Sequence, residues 1–200
     1  MRSTFAPTTR STSFRAGAYA VNDETFEALA AAGIRLDSSC FFPSPNNHNR
    51  RETVNAISVK GDIIEVPVTT VLRSDSAGRL SHRKLDLDWL SVEELSEALS
   101  SLVQYGAAFA TFMMHSFSFI KKETRMPDEP PSSKARFISE VHQDRYVEVY
   151  GPKPAMRDAF SDLCCSLASD PSLRVRRLCD EISTLRNLNS KSRDVIPVVT

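Results

Sequence analysis

Three polar residues stand where an apolar run stops. Arg15 follows Ser13-Phe14, Asp37 follows Ile34-Arg35-Leu36, and His115 follows the stretch from Phe109 to Met114. In parallel α/β sheets the C-terminal strand ends face the ligand crevice, so polar residues there are candidates for binding or catalysis. An Arg, an Asp and a His on one rim suit hydrolysis. The imidazole can protonate a leaving group, the carboxylate can orient and charge-stabilise that imidazole, and the guanidinium can hold a carboxylate or an oxyanion. Position alone is equally compatible with a turn aspartate, an ion-paired arginine and a histidine satisfied by its neighbours.

The elements that must position these residues alternate between short apolar runs and helical periods, which predicts an α/β architecture with a largely parallel sheet. A strand ends near Phe14 and Arg15. Residues 22–32 form a helix, with Asn22 as N-cap, Asp23 and Glu24 in the first turn, Gly33 as terminator and Phe26, Leu29 and Ala30 on the buried face. Residues 34–36 read as a second strand, and residues 41–51, rich in Pro and Asn, as a loop. Residues 62–72 are β-rich, with Pro67 marking an edge, a bulge or a strand end. Ser91-Val92-Glu93-Glu94 is a capping box opening a helix through Leu95, Ala98, Leu99, Leu102 and Val103, which Gly106 ends. Residues 109–114 read as a strand buried on both faces, leading into His115. Residues 126–134 form an exposed Pro/Ser loop. A helix over 155–168 carries Met156, Phe160, Leu163, Cys164 and Leu167 on one stripe. Residues 174–178 read as a weak last strand and 180–188 as a closing helix. The organisation expected is a lead over residues 1–11, one domain over 12–188 and a frayed tail over 189–200.

Composition narrows the function classes. Lys plus Arg and Asp plus Glu number 25 each, so the net charge is zero and no footprint for nucleic acid is present. No apolar run approaches the ~18 residues that would span a bilayer. The cysteines, Cys40, Cys164, Cys165 and Cys179, form no CxxC pair and no disulfide framework, and suit a reducing cytoplasm. Cys164 and Cys165 lie in an apolar helical stretch and are expected to be buried thiols.

Phe14-Arg15-Ala16-Gly17-Ala18-Tyr19 with its following helix, Leu36-Asp37-Ser38-Ser39, Ile64-Glu65-Val66-Pro67-Val68-Thr69 and Phe112-Met113-Met114-His115-Ser116-Phe117 occur in that order. Together they resemble the polysaccharide deacetylases of carbohydrate esterase family four. The resemblance covers roughly residues 12–185 and implies the C-terminal portion of a deacetylase-type (β/α) barrel with open strand edges, since 200 residues are too few for a complete barrel of about 250. It implies a metal-dependent hydrolase that removes acetyl groups from a glycan or sugar. By the same resemblance His115 is the general acid, Asp37 its acidic partner and Arg15 the arginine that positions the aspartate. Asp86-Leu87-Asp88-Trp89 is a competing match to the family's Asp–Trp motif, although Asp88 and Trp89 are also explained as the lead-in to a capped helix. Trp89 reads as a packing residue rather than a sugar platform.

The chain departs from the family in its metal motifs. The family uses a divalent metal such as zinc, held by a T-F-D-D strand and an H-x-x-x-H motif, and neither occurs here. Among His48, His82, His115 and His142 no two are spaced i, i+4, so no metal ligand and no cofactor site is expected. His48 and His82 read as surface loop residues. Two other readings remain: a non-catalytic carbohydrate-binding or assembly protein of the same fold, and an unrelated α/β module binding another small ligand. Open sheet edges also make self-association plausible.

Overall fold

The computed structural model describes residues 12–48, 54–125, 139–142, 147–188 and 193–200. Strand β1 (Ser13–Phe14) leads through a short 3-10 turn to helix α1 (Asp23–Ala31). Asn22 caps α1: its Oδ1 accepts from the Thr25 amide at 3.0 Å, while Thr25 Oγ1 accepts from the Asn22 amide at 3.3 Å. Two otherwise unsatisfied donors of the first turn are thereby met. Gly33 ends the helix at φ 76°, a conformation that disfavours a side chain. Phe26 and Leu29 are buried against Val21, Cys40 and Ile63.

The chain then enters β2 (Leu36–Asp37), parallel to β1 with Ser13 opposite Leu36 and Phe14 opposite Asp37. Strands β3 (Ser58–Lys60) and β4 (Ile63–Glu65) form a hairpin, and β4 lies parallel to β2, giving the order β1-β2-β4-β3. Beyond β4 the chain stays extended: the amides of Val66 and Val68 donate to Asp37 O and Cys40 O, each at 2.9 Å. Pro67 lies between them, where the alternating ladder toward β2 needs no donor. A proline is therefore accommodated inside this sheet.

Strands β5 (Thr70–Ser74) and β6 (Leu80–Lys84) form a second hairpin. Ser91 and Glu94 make the expected capping box of α2 (Val92–Gln104), with the Glu94 amide donating to Ser91 Oγ and the Ser91 amide to Glu94 Oε2. Leu95 and Ala98 of α2 pack with Val71, Leu85, Leu87 and Leu90, and with Met156 and Leu163 of α3 (Pro154–Ser169). Each fully buried leucine here contributes about 1.5–3 kcal/mol. A third sheet joins β7 (Ile120–Arg125), β8 (Ser139–His142) and β9 (Val147–Pro152) in the order β7-β9-β8. Helix α4 (Ile182–Leu188) buries Leu185 against Leu36, Ile57, Ile64 and Val66.

Among the described residues the architecture is mixed α/β with three open sheets, and none of them closes into a barrel. The expectation of a mostly parallel sheet is corrected. Three pairings are parallel, but β3–β4, β5–β6, β7–β9 and β8–β9 are antiparallel. The β3–β4 and β5–β6 connections are too short for a crossover and return the chain antiparallel.

Residues 109–114 are extended but not a strand. Isolated bonds replace a ladder there: Thr69 N to Thr111 O at 3.3 Å and Met113 N to Leu85 O at 3.1 Å. Thr111 and Met113 are buried, whereas Phe112 and Met114 are only half-buried, so the run is not covered on both faces. Residues 174–178 form no strand either. Val175 is 70% exposed, and the arginines beside it turn outward to Asp180 and Glu181.

The tail is ordered in part. In strand β10 (Val198–Val199) Val199 is buried and the strand pairs parallel with β5, while Asp194 accepts from the amides of Val54 and Asn55. Cys164 and Cys165 are exposed, because Met156, Phe160, Leu163 and Leu167 already fill the inward stripe of α3. The lead over residues 1–11 and the loop over 126–134 lie outside the described residues.

Candidate functional site

Two polar regions lie near the C-terminal ends of β1, β2 and β4 and beyond β6. The first is a corner built on the parallel strands. Arg15, one residue past β1, donates from Nε to Ser38 O at 2.9 Å and from Nη2 to Ser38 Oγ at 2.8 Å. Asp37 is fully buried, and both its oxygens are engaged by Ser39: Oδ1 accepts from Oγ at 2.7 Å and Oδ2 from the amide at 3.1 Å. Ser39 Oγ also accepts from the Ala16 amide at 2.8 Å, closing the corner back onto β1. Glu65, in register beside Asp37, accepts from the Cys40 amide at 2.9 Å.

Burial draws the Arg15 guanidinium below the usual arginine range. The nearby Tyr19, Glu65 and Asp37 act the other way by favouring its charged form. The structure thus brings Arg15 and Asp37 into one corner, joined through Ser38 and Ser39 rather than by a direct bond.

The second region is a cleft of about 450 Å³ lined by Lys84, Asp88, Trp89, His115, Phe117, Ser118, Ile120 and Lys153. Lys84, at the end of β6, is buried and pairs with the fully buried Asp86, Nζ to Oδ2 at 3.1 Å. Asp86 also accepts the Asp88 amide on Oδ1 at 2.7 Å, so one carboxylate fixes both the cation and the turn that presents Asp88 and Trp89. Asp88 Oδ2 accepts from Ser118 Oγ, which ties that turn to the 3-10 turn Ser116–Phe119 after His115. His115 stacks on Phe117, with ring centroids 4.4 Å apart and planes 12° from parallel.

An aromatic bridge joins the two regions. Tyr19 packs on Phe41 at 5.1 Å, Phe41 meets Trp89 edge-on at 6.2 Å, and the Lys84 ammonium lies 5.7 Å from the Tyr19 ring centre and 4.9 Å from that of Trp89. Ala18 and Tyr19 both have positive φ, 52° and 59°, which is strained for residues with a Cβ. The Tyr19 hydroxyl is buried without a hydrogen-bond partner among the described residues.

The expected contact between Asp37 and His115 is not made: the bonds to the Asp37 oxygens come from Ser39. Among the described residues the His115 imidazole has no hydrogen-bond or ion-pair partner. The carboxylate that shares its cleft is Asp88, from the competing Asp86-Leu87-Asp88-Trp89 match. Trp89 is 38% exposed and lines the same cleft, with Lys84 and Arg83 over its ring and Phe41 edge-on to it. His48 is exposed in a turn region, whereas His82 lies in β6, half-buried and edge-on to Phe42 at 4.8 Å, and is not a loop residue.

Sequence reasoning missed Lys84, Asp86 and Phe117. A usable signal was the close spacing of Lys84, Asp86 and Asp88, which the bend and turn after β6 gather in one place. The resemblance implies a divalent metal, but among the described residues no group of three His, Cys, Asp or Glu is arranged to hold one. Asp37 is fully buried and bonded by Ser39, and the described donors do not fit that ion. Among the described residues no helix is long and apolar enough to cross a membrane. The chain matches no protein-family model, no curated protein and no solved structure.

Proposed function

We propose that the chain is a polysaccharide-deacetylase-like protein of carbohydrate metabolism, whose cleft beside His115 acts on an acetylated saccharide. On this reading the open sheets of the described residues are the C-terminal portion of a deacetylase-type barrel. The observation that carries the proposal is the grouping of His115, Asp88 and the buried Lys84 around one cleft, with the Arg15–Asp37 corner joined to it through Tyr19, Phe41 and Trp89.

The chain's own residues supply binding, charge and proton delivery. Lys84, held by Asp86, favours negative charge developing on the acyl oxygen as water adds to the carbonyl. His115 accepts the proton that the attacking water loses and gives it to the departing sugar nitrogen or oxygen as the acyl bond breaks, so that acetate leaves. Asp88 favours the protonated imidazole if the two approach with substrate bound. The Arg15–Asp37 corner holds the rim in shape.

A second reading, a non-catalytic carbohydrate-binding protein of the same fold, draws support from the burial of Asp37. A carboxylate with 0% exposure that is bonded by Ser39 is poorly placed to serve as ligand or base.

Acetate release from an acetylated hexosamine oligomer tests both. The enzyme reading expects His115→Ala to lower release by roughly 100-fold or more. Equal release by the variant would remove His115 from the chemistry, and binding without release by the wild type would move the chain to the second reading.

A further inference from the structure

Residues 116–119 form a turn pinned at two of its four positions. Ser118 is buried, its amide donates to His115 O at 3.0 Å and its hydroxyl to Asp88, while the Phe119 ring lies edge-on to Phe160 of α3 at 5.6 Å. Phe117 is left outside. It is 62% exposed, with one face laid on His115 and the cleft in front of it. The other aromatic of the cleft is already occupied by Lys84, Arg83 and Phe41. Lys153 lines the cleft too. Its amide donates to Phe119 O at 2.8 Å, and among the described residues its ammonium has no ion-pair partner.

A flat apolar ring bordered by two ammonium groups and a carboxylate matches one ligand chemistry well. The C–H face of a pyranose is apolar with slightly positive hydrogens, suited to the negative face of an aromatic ring. The hydroxyls around its edge need donors and acceptors within hydrogen-bond reach, as Lys84, Asp88 and Lys153 are.

We infer that Phe117 is the saccharide-stacking platform of this cleft, a specificity-determining residue that seats a pyranose ring on the face it turns away from His115. The inference rests on the saccharide reading above and deepens it by assigning the binding face. Because Phe117 is exposed, replacing it removes little core packing, so its variants should fold.

The test is calorimetric titration of the full chain with an N-acetylhexosamine trimer, using the wild type, Phe117→Ala, Phe117→Leu and Phe117→Trp. The platform predicts at least tenfold weaker binding for Phe117→Ala. It predicts a several-fold loss for Phe117→Leu, which keeps bulk without a π face, and affinity within threefold of wild type for Phe117→Trp. In proton NMR the wild-type His115 ring signals should carry the upfield ring-current shift of a stacked neighbour, absent in Phe117→Ala. Wild-type affinity in Phe117→Ala or in Phe117→Leu overturns the platform, as does a wild type that does not bind the trimer. The outcomes separate the two proposals. Acetate release with KM unchanged in Phe117→Ala sinks the platform alone, whereas platform-dependent binding without acetate release sinks hydrolysis alone.

Discussion

The Arg15–Asp37 corner and the His115 cleft carry the residues that sequence position groups together, yet they differ in what their polar groups are doing. In the corner Asp37 has 0% exposure and both oxygens bonded, and Arg15 donates twice to Ser38. In the cleft the His115 imidazole has no polar partner among the described residues, and Lys153 and Phe117 stand open. A saturated buried group stabilises the fold because removing either partner strands the other, whereas an unsaturated group at a cleft keeps its bonding capacity for a ligand. On the proposed function, the corner would then serve the shape of the site and the cleft its contact with ligand.

The largest effect that would break this comparison is on stability. Asp37→Ala strips two bonds from Ser39 and leaves the half-buried Arg15 guanidinium with one fewer countercharge, so it should cost about 3 kcal/mol. His115→Ala, by contrast, should stay within about 0.5 kcal/mol of wild type. Urea denaturation checks both, and similar losses for the two variants would show that the regions are not distinct in kind.

A smaller effect, of opposite sign, sharpens the boundary between them. Tyr19→Phe removes the buried, unpaired hydroxyl while keeping the ring against Phe41 and below Lys84. Free protein should therefore gain about 1 kcal/mol, since an unmet buried donor is replaced by apolar surface of the same shape. A lower melting temperature in this variant would mean that the hydroxyl is satisfied in solution.

The smallest effect lies at the β5–β6 turn, away from both regions, and serves as the control. Hydrogen bonds from Arg79, first its amide and then its side chain, hold the exposed Asp75 carboxyl below its ordinary range. A depressed carboxyl contributes stability above its unfolded value and loses it as pH falls through the folded one. Asp75→Asn should therefore lower the melting temperature slightly near neutral pH, and the difference should vanish below about pH 3. A gap that persists in acid would assign the effect to turn geometry instead of charge.

Much of the scaffold was legible from local signals. Asn22 with Asp23 and Glu24, and Ser91 with Glu94, marked both capped helices because the capping bonds form within four residues of chain. The inward stripe of α3 was legible for the same reason, apart from Cys164, which lies one position off that stripe. Strands fared worse. Residues 109–114 carry the apolar run of a buried strand, but their neighbours offer only isolated bonds from Thr69 and Leu85. Strand β7 was overlooked because Lys121-Lys122-Glu123 shows no apolar alternation; it pairs with β9 along its whole length.

By itself the sequence determined the caps, the helix faces and the placement of Arg15 and Asp37 at the ends of neighbouring strands, since each follows from contacts a few residues apart or from strand periodicity. Only the tertiary structure decided that most of the described pairings are antiparallel, that Val198 and Val199 return to pair with β5, and that Asp88, not Asp37, shares the cleft with His115. The physical reason is range. Whether a strand end is saturated or free depends on which partners arrive from distant segments, as Ser118 reaches Asp88 across 30 residues and Asp194 reaches Asn55 across 139. Local periodicity carries no record of those arrivals.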